Sequence, residues 1–460
     1  MQVSVTGCTS ARSAFRNRVW KRIPWFPLLI TVCVLLLLCD SVESAQRDHS
    51  TTLVFPTKSH APLRKATGTH LFLAIGRRTY VNNPQGTALA KLTVSDDPNT
   101  EKDDDELTVY GVNAGNNEII YNTSLLNIEI YREPPDQPGS LLHPRGITAN
   151  IQGDVYVADM GHGRVARLFN ERGKQLVYRS AGTPPGDPVF TPFDCSLAED
   201  GSVFIADSTG GKLWRWFPRE HRWEIILDDL DTPLGLVAYD ARDPWTRYKP
   251  SRLGIVAGNG SSVIIVDYNG NILAEYKPQE KMVGFRYIAV DYFGNYYVTD
   301  VRNSQIVKID RHGELVDRIG HEGQGDYQFL RPQGISIWKR FGQVCVAESY
   351  AAQYYLIGTD ILEPAIQVED DMLNIAFTLT ENSQVSIRIR PASSEREIGV
   401  LDEVKILQGR YHHRWRIPHG FPPGAYSIQI TARPAYSSTK YFSVREDIAW
   451  NYHRTEDSKR

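Results

Sequence analysis

A short pattern that recurs about every 46 to 48 residues constrains the fold of this chain more than any other feature. Each copy joins a glycine turn, a strand of β-branched and aromatic residues, and a closing acid: Gly153–Asp159, Gly201–Asp207, Gly294–Asp300 and Gly342–Glu348. Repetition with a period of roughly 20–50 residues indicates one supersecondary unit stacked several times. The residues within each copy favour strands, so the pattern predicts an all-β repeat fold.

The spacing of the closing acids locates two further copies. Asp207 and Asp300 lie about two periods apart, and the degenerate strand Leu253–Gly258 occupies the gap, after an insertion that includes Arg247–Arg252. Upstream, a strand ends at Asn113, 46 residues before Asp159. The chain therefore contains six copies of the unit.

Each period also contains three further strands. One opens the repeat, often after a proline, as at His143–Ala149 and Arg331–Trp338. A long polar residue stands five positions after each acid and begins another strand, and a fourth strand such as Trp223–Leu227 closes the repeat. Four strands per period, separated by turn residues, predict the blade of a β-propeller.

These residues resemble the NHL repeat family, whose pattern is a proline-led strand, a Gly-Asn turn, a Tyr-Val-Ala-Asp strand and an arginine before an apolar strand. His143–Val177 carries this pattern almost intact, and Tyr287–Gly320 is close to it. The resemblance implies a six-bladed propeller, which we place at residues 70–362. The last copy lacks a fourth strand, and we predict that Leu71–Gly76 supplies it and closes the ring.

The period stops near Glu363, and seven short strands follow at even spacing. They predict a small antiparallel β-sandwich over residues 363–446. Pro422–Ala432 resembles the closing strands of the immunoglobulin-like modules that are appended to many exported bacterial proteins. Residues 447–460 are polar, and we expect a disordered tail there.

The N-terminus has the composition of a targeting segment. Basic residues precede the apolar run Pro27–Cys39, which is shorter than the ~20 residues that span a bilayer. We therefore interpret residues 1–45 as a signal peptide, or alternatively as an uncleaved signal anchor, and residues 46–69 as a linker. The predicted location is extracytoplasmic: secreted, periplasmic or at the cell surface, with membrane association if the segment is retained.

The net charge limits the classes of partner, and the cysteine positions indicate whether a disulfide stabilises the protein. The formal net charge of −3 gives no overall positive field, so we predict no nucleic-acid partner. Only Cys195 and Cys345 lie beyond the N-terminal segment, at different positions of non-adjacent repeats. We expect two buried thiols rather than a disulfide, and stability that depends on the hydrophobic core.

The repeated acids have two interpretations. They could point into a central channel as metal ligands. We favour a structural role, in which each acid accepts turn amides or pairs with the residue five positions on, as Asp159–Arg164 and Asp207–Lys212 would. The predicted structural residues are Asp159, Arg164, Asp207, Lys212, Asp300, Gln305, Glu348 and Gln353.

Metal-dependent chemistry is the enzymatic alternative. The amidating lyases of the NHL group carry zinc-binding histidines in the proline-led strands of several blades, but the matching positions here are Arg145, Phe193, Leu234 and Gln333. His412 and His413 would point to opposite faces of one strand. We therefore predict no catalytic residue, no metal ligand and no cofactor. Calcium or zinc is the open alternative, with the acidic stretch Asp96–Glu106 as a possible calcium loop or a solvated hairpin tip.

Exposed aromatic residues give the best indication of function. Trp245, Arg247 and Tyr248 lie in the insertion of the fourth repeat, and such loops on a rigid ring commonly bind ligands. We predict a non-catalytic exported binding or scaffold protein that recognises a protein, peptide or glycan. The alternatives are a metal-dependent lactonase or lyase at the channel mouth and a structural component of an envelope assembly. Asn122 and Asn259 are glycosylation sequons if the source is eukaryotic.

Overall fold

Nearly every element of the protein is a β-strand in the computed structural model, which describes residues 49–58, 64–94, 107–124, 127–279, 282–349, 351–394 and 396–453. Residues 1–45, the acidic stretch Asp96–Glu106 and residues 454–460 lie outside the described residues, and what we predict for them stays a prediction. The described residues from His49 onward belong to one compact unit. No helix among the described residues has the length and apolar character needed to cross a membrane.

The chain begins with three short elements and then forms five antiparallel sheets of four consecutive strands each. The three elements are β1 (Leu53–Val54), β2 (Lys65–Thr67) and helix α1 (Gly68–Ile75). Sheet 1 contains β3 (Pro84–Lys91), β4 (Leu107–Asn113), β5 (Glu118–Asn122) and β6 (Ile128–Tyr131), and sheet 2 contains β7 (Ile147–Ala149), β8 (Asp154–Asp159), β9 (Arg164–Glu171) and β10 (Gln175–Gly182). Sheet 3 contains β11 (Pro192–Leu197), β12 (Val203–Asp207), β13 (Lys212–Phe217) and β14 (Arg222–Leu227).

The remaining strands of the repeats follow the same plan. Sheet 4 contains β15 (Leu236–Tyr239), β16 (Arg252–Ala257), β17 (Ser262–Asp267) and β18 (Ile272–Tyr276), and sheet 5 contains β19 (Phe285–Val290), β20 (Tyr296–Asp300), β21 (Gln305–Ile309) and β22 (Leu315–Ile319). A parallel pair, β23 (His321–Glu322) and β24 (Gln328–Phe329), precedes sheet 6, which contains β25 (Pro332–Trp338), β26 (Gln343–Glu348) and β27 (Ala351–Ile357). Short 3-10 helices occupy Gly76–Arg78, Ala114–Asn116, Met160–His162 and Ser437–Thr439.

The first strands of the six sheets contact one another in cyclic order: β3, β7, β11, β15, β19, β25 and again β3. Backbone hydrogen bonds join them, as from Gly146 N to Phe193 O at 2.9 Å. A Cβ on Gly334 would lie 2.3 Å from Gln85 O, so only glycine permits this approach between sheets 6 and 1. The first strands therefore line a common central channel.

The N-terminal segment completes sheet 6. Strands β1 and β2 both pair antiparallel with β27, with Leu53 opposite Ile357 and Thr67 opposite Ala351. The prediction that Leu71–Gly76 supplies this strand is wrong, and so is the assignment of residues 46–69 as a linker. Residues 71–75 belong to helix α1, which Thr67 and His70 cap reciprocally at its N-terminus.

The segment Ser50–Phe55, which contains β1 and which we call the closing segment, contributes to the largest hydrophobic cluster among the described residues. This cluster packs side chains of sheets 4, 5 and 6 together with Leu53 and Phe55. Leu53 is fully buried, whereas Leu73 of helix α1 is 76% exposed. The core therefore holds β1 in place, and the apolar residues of α1 contribute little to it.

Two further sheets follow the repeats. One has three strands, β28 (Ile361–Glu369), β29 (Met372–Leu379) and β32 (Gly409–Arg416). The other has four, β30 (Ser383–Pro391), β31 (Ile398–Ile406), β33 (Gly424–Pro434) and β34 (Val444–Tyr452). Buried residues of both, such as Ile375 and Ile430, form one hydrophobic cluster, so the two sheets share a core. Residues 447–452, expected to be disordered, belong to β34 because Val444 and Trp450 are buried in that core.

A buried ion pair joins sheet 5 to these C-terminal sheets. Lys308 Nζ of β21 donates to Glu381 Oε2 at 2.8 Å and to Thr380 O at 2.6 Å, and both charged side chains are fully buried. Cys195 and Cys345 are buried free thiols, as predicted.

Candidate functional site

The repeated acids fix the start of each first strand. Their carboxylate oxygens accept backbone N–H groups from the turn that precedes that strand, with Asp159 bound by Leu142 at 2.7 Å and Asp207 by Thr191 at 2.9 Å. The corresponding pairs in sheets 5 and 6 are Asp300 with Gly284 and Glu348 with Leu330. These oxygens hold the turns in position, and all four acids are buried.

The residues that stand five positions after the repeated acids are arranged less uniformly than the acids themselves. Arg164 Nε lies 2.8 Å from Asp159 Oδ2, and the pairs in sheets 5 and 6 are Gln305 with Asp300 at 3.2 Å and Gln353 with Glu348 at 3.0 Å. The predicted Asp207–Lys212 pair is wrong. Lys212 Nζ donates to Asp187 at 2.7 Å, while Trp214 Nε1 and the amide of Gly210 bind the Asp207 carboxylate.

A cavity of about 550 Å³ opens where the first strands end, and we call it the wide mouth of the channel. Its wall carries the hydroxyls of Thr148, Ser196 and Ser336 and the indoles of Trp245 and Trp338. Thr148 Oγ1 accepts the amide of Leu197 and Ser196 Oγ accepts that of Ala238, so the hydrogens of these two hydroxyls remain available to donate, whereas the Ser336 hydroxyl bonds that of Thr87. The wide mouth therefore presents donors beside flat aromatic surfaces.

These hydroxyls occupy equivalent positions that we did not identify from the sequence. Thr148, Ser196 and Ser336 each stand four residues after the proline that opens the repeat. The fold places Thr148 and Ser196 on the adjacent first strands β7 and β11, and Ser336 on β25, whose neighbours are β19 and β3. A search for polar residues at fixed offsets from that proline would have found them.

The structure separates the three residues predicted to form a binding surface. Trp245 is half-buried in the wall of the wide mouth, with the Arg340 guanidinium 4.8 Å from its ring. Arg247 and Tyr248 do not line the cavity, and the Tyr248 ring packs against Arg311 at 4.0 Å. Of this set, Trp245 is the residue placed to contact a ligand in the wide mouth.

Charged side chains surround the wide mouth. Glu199 is exposed at its edge, yet partial desolvation and then the nearby Asp243 carboxylate raise the pKa of its carboxyl group, while Lys339 opposes the shift. Lys339 Nζ pairs with Asp243 at 2.5 Å, and the amide of Trp245 donates to the same carboxylate at 2.8 Å. Asp243 thereby connects the Trp245 loop to sheet 6.

Asp194 is a buried carboxyl group in the channel wall. Its oxygens accept the amides of Cys195 and Leu236, each at 2.9 Å. Burial outweighs these hydrogen bonds and raises the pKa of Asp194 to about 8. The group is therefore mostly neutral at pH 7.

The Asp194→Asn variant should flatten the dependence of stability on pH. The folded state binds the Asp194 proton up to about pH 8, whereas the unfolded chain releases it near pH ~4. Because the folded state holds more protons between these values, this group makes stability fall as pH rises from about 4 to 8. Urea unfolding at several pH values should show the variant gaining stability relative to wild type across this range. Parallel profiles would contradict the assignment.

Within the described ranges, no group of three or more His, Cys, Asp or Glu side chains is placed to hold a metal ion. The positions that hold zinc-binding histidines in the amidating lyases are occupied by Arg145, Phe193, Leu234 and Gln333, at the start of the first strands. His412 and His413 lie next to each other on β32, where their side chains alternate in exposure.

The two sequons differ in accessibility. Asn259 is exposed in the turn between β16 and β17. Asn122 Nδ2 donates to Leu107 O at 3.0 Å and its Oδ1 accepts the amide of Val109 at 2.6 Å. A glycan on Asn122 would leave Nδ2 one hydrogen with which to donate to Leu107 O.

No family model and no curated protein sequence matches the chain. Among solved structures it is similar to virginiamycin B lyase from Staphylococcus aureus, with 16% identity and a TM-score of 0.41 over 54% of this chain and 77% of that one. It is similar to a gluconolactonase from Xanthomonas campestris, with 13% identity and a TM-score of 0.44 over 67% and 98% of the chains. The calcium-binding protein regucalcin from Agrobacterium tumefaciens has 10% identity and a TM-score of 0.41 over 59% and 89%. These similarities are weak, and neither the fold nor the function proposed below rests on them.

Proposed function

We propose that this chain is an exported, non-catalytic binding protein that recognises a glycan at the wide mouth of its channel. It would be a six-bladed propeller of the NHL type, followed by an immunoglobulin-like sandwich that spaces or attaches the ring. The cyclic contact of six first strands supports the six blades, and the core shared by the two C-terminal sheets supports the sandwich. The N-terminal composition supports export from the cytoplasm.

The wall of the wide mouth is the observation that carries this proposal. Sugars present hydroxyl groups together with apolar C–H faces, so a site for them needs hydrogen-bonding groups beside flat aromatic rings. Trp245 and Trp338 supply the rings, and Trp338 Nε1 is a buried donor without a hydrogen-bond partner in the described part of the chain. The hydroxyls and Glu199 supply further donors and acceptors. A cavity of about 550 Å³ is of the size that holds a small ligand.

The Trp245→Ala variant should lose at least about tenfold in glycan affinity, since buried aromatic contacts typically contribute about 1.4 kcal/mol or more. Glycan-array screening of the full chain would identify the ligand, and calorimetry would give the affinity. Arg247→Ala is the matched control because Arg247 lies in the same loop, is exposed and does not line the cavity. Equal affinities of the Trp245→Ala variant and wild type would exclude this site.

Two alternatives make different predictions for the purified full chain. A metal-dependent lactonase or lyase would contain zinc or calcium in stoichiometric amount after dialysis, as measured by mass spectrometry, and would hydrolyse or cleave lactones or esters. A structural component of an envelope assembly would co-purify with stable partners. Metal-free folded protein that binds a glycan without consuming it is the result that supports the proposal.

A further inference from the structure

The opposite end of the channel, where the first strands begin, has a different chemistry from the wide mouth. Six equivalent positions surround it, one on each sheet: Gln85, Arg145, Phe193, Leu234, Arg286 and Gln333. Hydrogen bonds between neighbouring backbones hold them close, as from Gly86 N to Arg145 O at 3.1 Å and from Gly235 N to Arg286 O at 3.0 Å. With Arg331 at its edge, this end carries three arginines, and we call it the arginine mouth.

The side chain of Arg286 reaches across the channel. Its guanidinium carbon lies 4.9 Å from the centroid of the Phe193 ring, which belongs to sheet 3 rather than to the adjoining sheet 4. The Phe193 ring in turn lies 5.5 Å from that of Tyr287, whose hydroxyl donates to Gln85 Oε1 at 3.0 Å. Tyr287 therefore spans the channel and forms a floor between the arginine mouth and the wide mouth.

The positive charge of the arginine mouth has no compensating carboxylate among the described residues. Neither Arg145, Arg286 nor Arg331 forms an ion pair with a described acid. Three polar atoms here are buried without a hydrogen-bond partner in the described part of the chain: Arg145 Nε, Arg286 Nε and Gln333 Oε1. A buried donor without an acceptor costs about 1–3 kcal/mol, and more when it is charged. A buried group of this kind in a native protein requires an explanation, and a bound anion is one.

The pKa shifts of Arg286 and Asp194 agree with the lack of a compensating carboxylate at the arginine mouth. Burial first, and then the charges of Arg145 and Arg331, lower the pKa of Arg286. Asp194 is the nearby buried acid, and its raised pKa of about 8 keeps it mostly protonated at neutral pH. It therefore contributes little negative charge to balance the guanidinium groups.

We propose that the arginine mouth binds the carboxylate of a small organic acid with an apolar body. Guanidinium groups are planar donor forks that match a carboxylate in bidentate geometry, and here they come from opposite sides of the channel. Phe193 and Leu234 are the apolar members of the six positions. Each is only 4% exposed, and an acid with an apolar body would cover that remaining surface, which an inorganic anion would not use. The site can be reached from solvent, because Arg145, Arg286 and Gln333 are half-buried and Arg331 at its edge is exposed. It is separate from the glycan site, and neither proposal depends on the other.

The experiment measures binding of benzoate, acetate, inorganic phosphate and the neutral analogue benzyl alcohol to the full chain by calorimetry. Benzoate should bind saturably at millimolar concentrations or below, acetate and phosphate at least tenfold more weakly, and benzyl alcohol not at all. Benzoate should also raise the unfolding temperature of the wild-type protein by mass action. Phosphate binding as tight as benzoate, or no saturable binding of benzoate, would overturn the proposal.

Two variants and one control localise the site. Arg286→Met and Arg145→Gln should each weaken benzoate binding at least tenfold, whereas Arg219→Met should leave it unchanged, because Arg219 lies at the wide mouth. The ligand-free Arg286→Met protein should unfold at the same or a higher urea concentration than wild type, since an uncompensated charge has been removed. Benzoate affinity that survives both substitutions, or a clear loss of ligand-free stability in Arg286→Met, would contradict the assignment.

Discussion

Replacing Lys308 with methionine is expected to destabilise the protein by about 3–5 kcal/mol, the usual cost of breaking a buried ion pair by removing one partner. The ammonium group of Lys308 binds both Glu381 and the carbonyl oxygen of Thr380. Neither side chain is exposed, so water cannot replace the lost partner of Glu381. The midpoint of urea unfolding measures the effect.

Asp291, a second buried acid, adds to the free energy of unfolding that the Lys308→Met variant should lose. Burial, and then the neighbouring Glu381, raise the pKa of Asp291 to about 7, and the charge of Lys308 opposes that shift. Without Lys308, Glu381 and Asp291 would be two carboxyl groups near each other in a buried site. The variant should therefore gain stability relative to wild type as the pH falls and Asp291 becomes protonated.

Two controls separate this effect from a general loss of charge. Lys308→Met combined with Glu381→Met should recover part of the lost stability, because no buried charge of the pair remains. Arg416→Met removes the exposed pair with Asp371 and should cost less than about 1 kcal/mol. A loss for Lys308→Met no larger than that for Arg416→Met would show that the buried pair is not essential.

The Leu53→Ala variant is expected to lose about 2–5 kcal/mol of unfolding free energy, because it leaves a cavity where β1 closes sheet 6. Leu53 is fully buried and pairs with Ile357. Ser50 and Thr52, which precede it in the chain, bind the carboxylate of Asp317 in sheet 5. The closing segment thus connects sheets 5 and 6, and its loosening should expose both.

Leu73→Ala is the matched control for Leu53→Ala. Leu73 lies in helix α1, within the segment that the sequence favours as the closing strand, and it is 76% exposed. Its truncation should change the unfolding free energy by no more than about 0.5 kcal/mol. If the two variants behaved in the reverse order, Leu71–Gly76 rather than β1 would close the ring.

The repeats could be predicted from the sequence because their signals are local. A glycine turn, a strand of β-branched and aromatic residues and a closing acid lie within seven residues, as in Gly294–Asp300, and the structure forms strand β20 there. The closing strand gives no such signal. Strand β1 has only two residues, and Pro56 stands two positions after its end. Its pairing partner lies about 300 residues away in the sequence. The apolar run at Leu71–Ile75 was the more visible pattern, but short apolar runs do not separate strand from helix.

The candidate sites were harder to predict because they join equivalent positions of different repeats. Arg145 was recognised from the sequence as a residue in place of a histidine, but its relation to Arg286 depends on the cyclic arrangement of the sheets. The same is true of Ser196 and Ser336 at the wide mouth. Lys212 pairs with Asp187 rather than Asp207 because the turn before β11 brings a second acid within reach, and the repeat spacing does not show this.

The pairing of β1 with β27 determines when the repeat region can finish folding. Leu53 is synthesised about 300 residues before its partner Ile357. Sheets 1 to 5 each use strands that are consecutive in sequence and can form as synthesis proceeds, but β1 and β2 must wait until β27 has been synthesised. Until β1 and β2 pair with it, the edge of β27 is available to other strands, including those of a second copy. The last step of folding is therefore the slow, long-range one, and a chain interrupted before residue 357 cannot complete it.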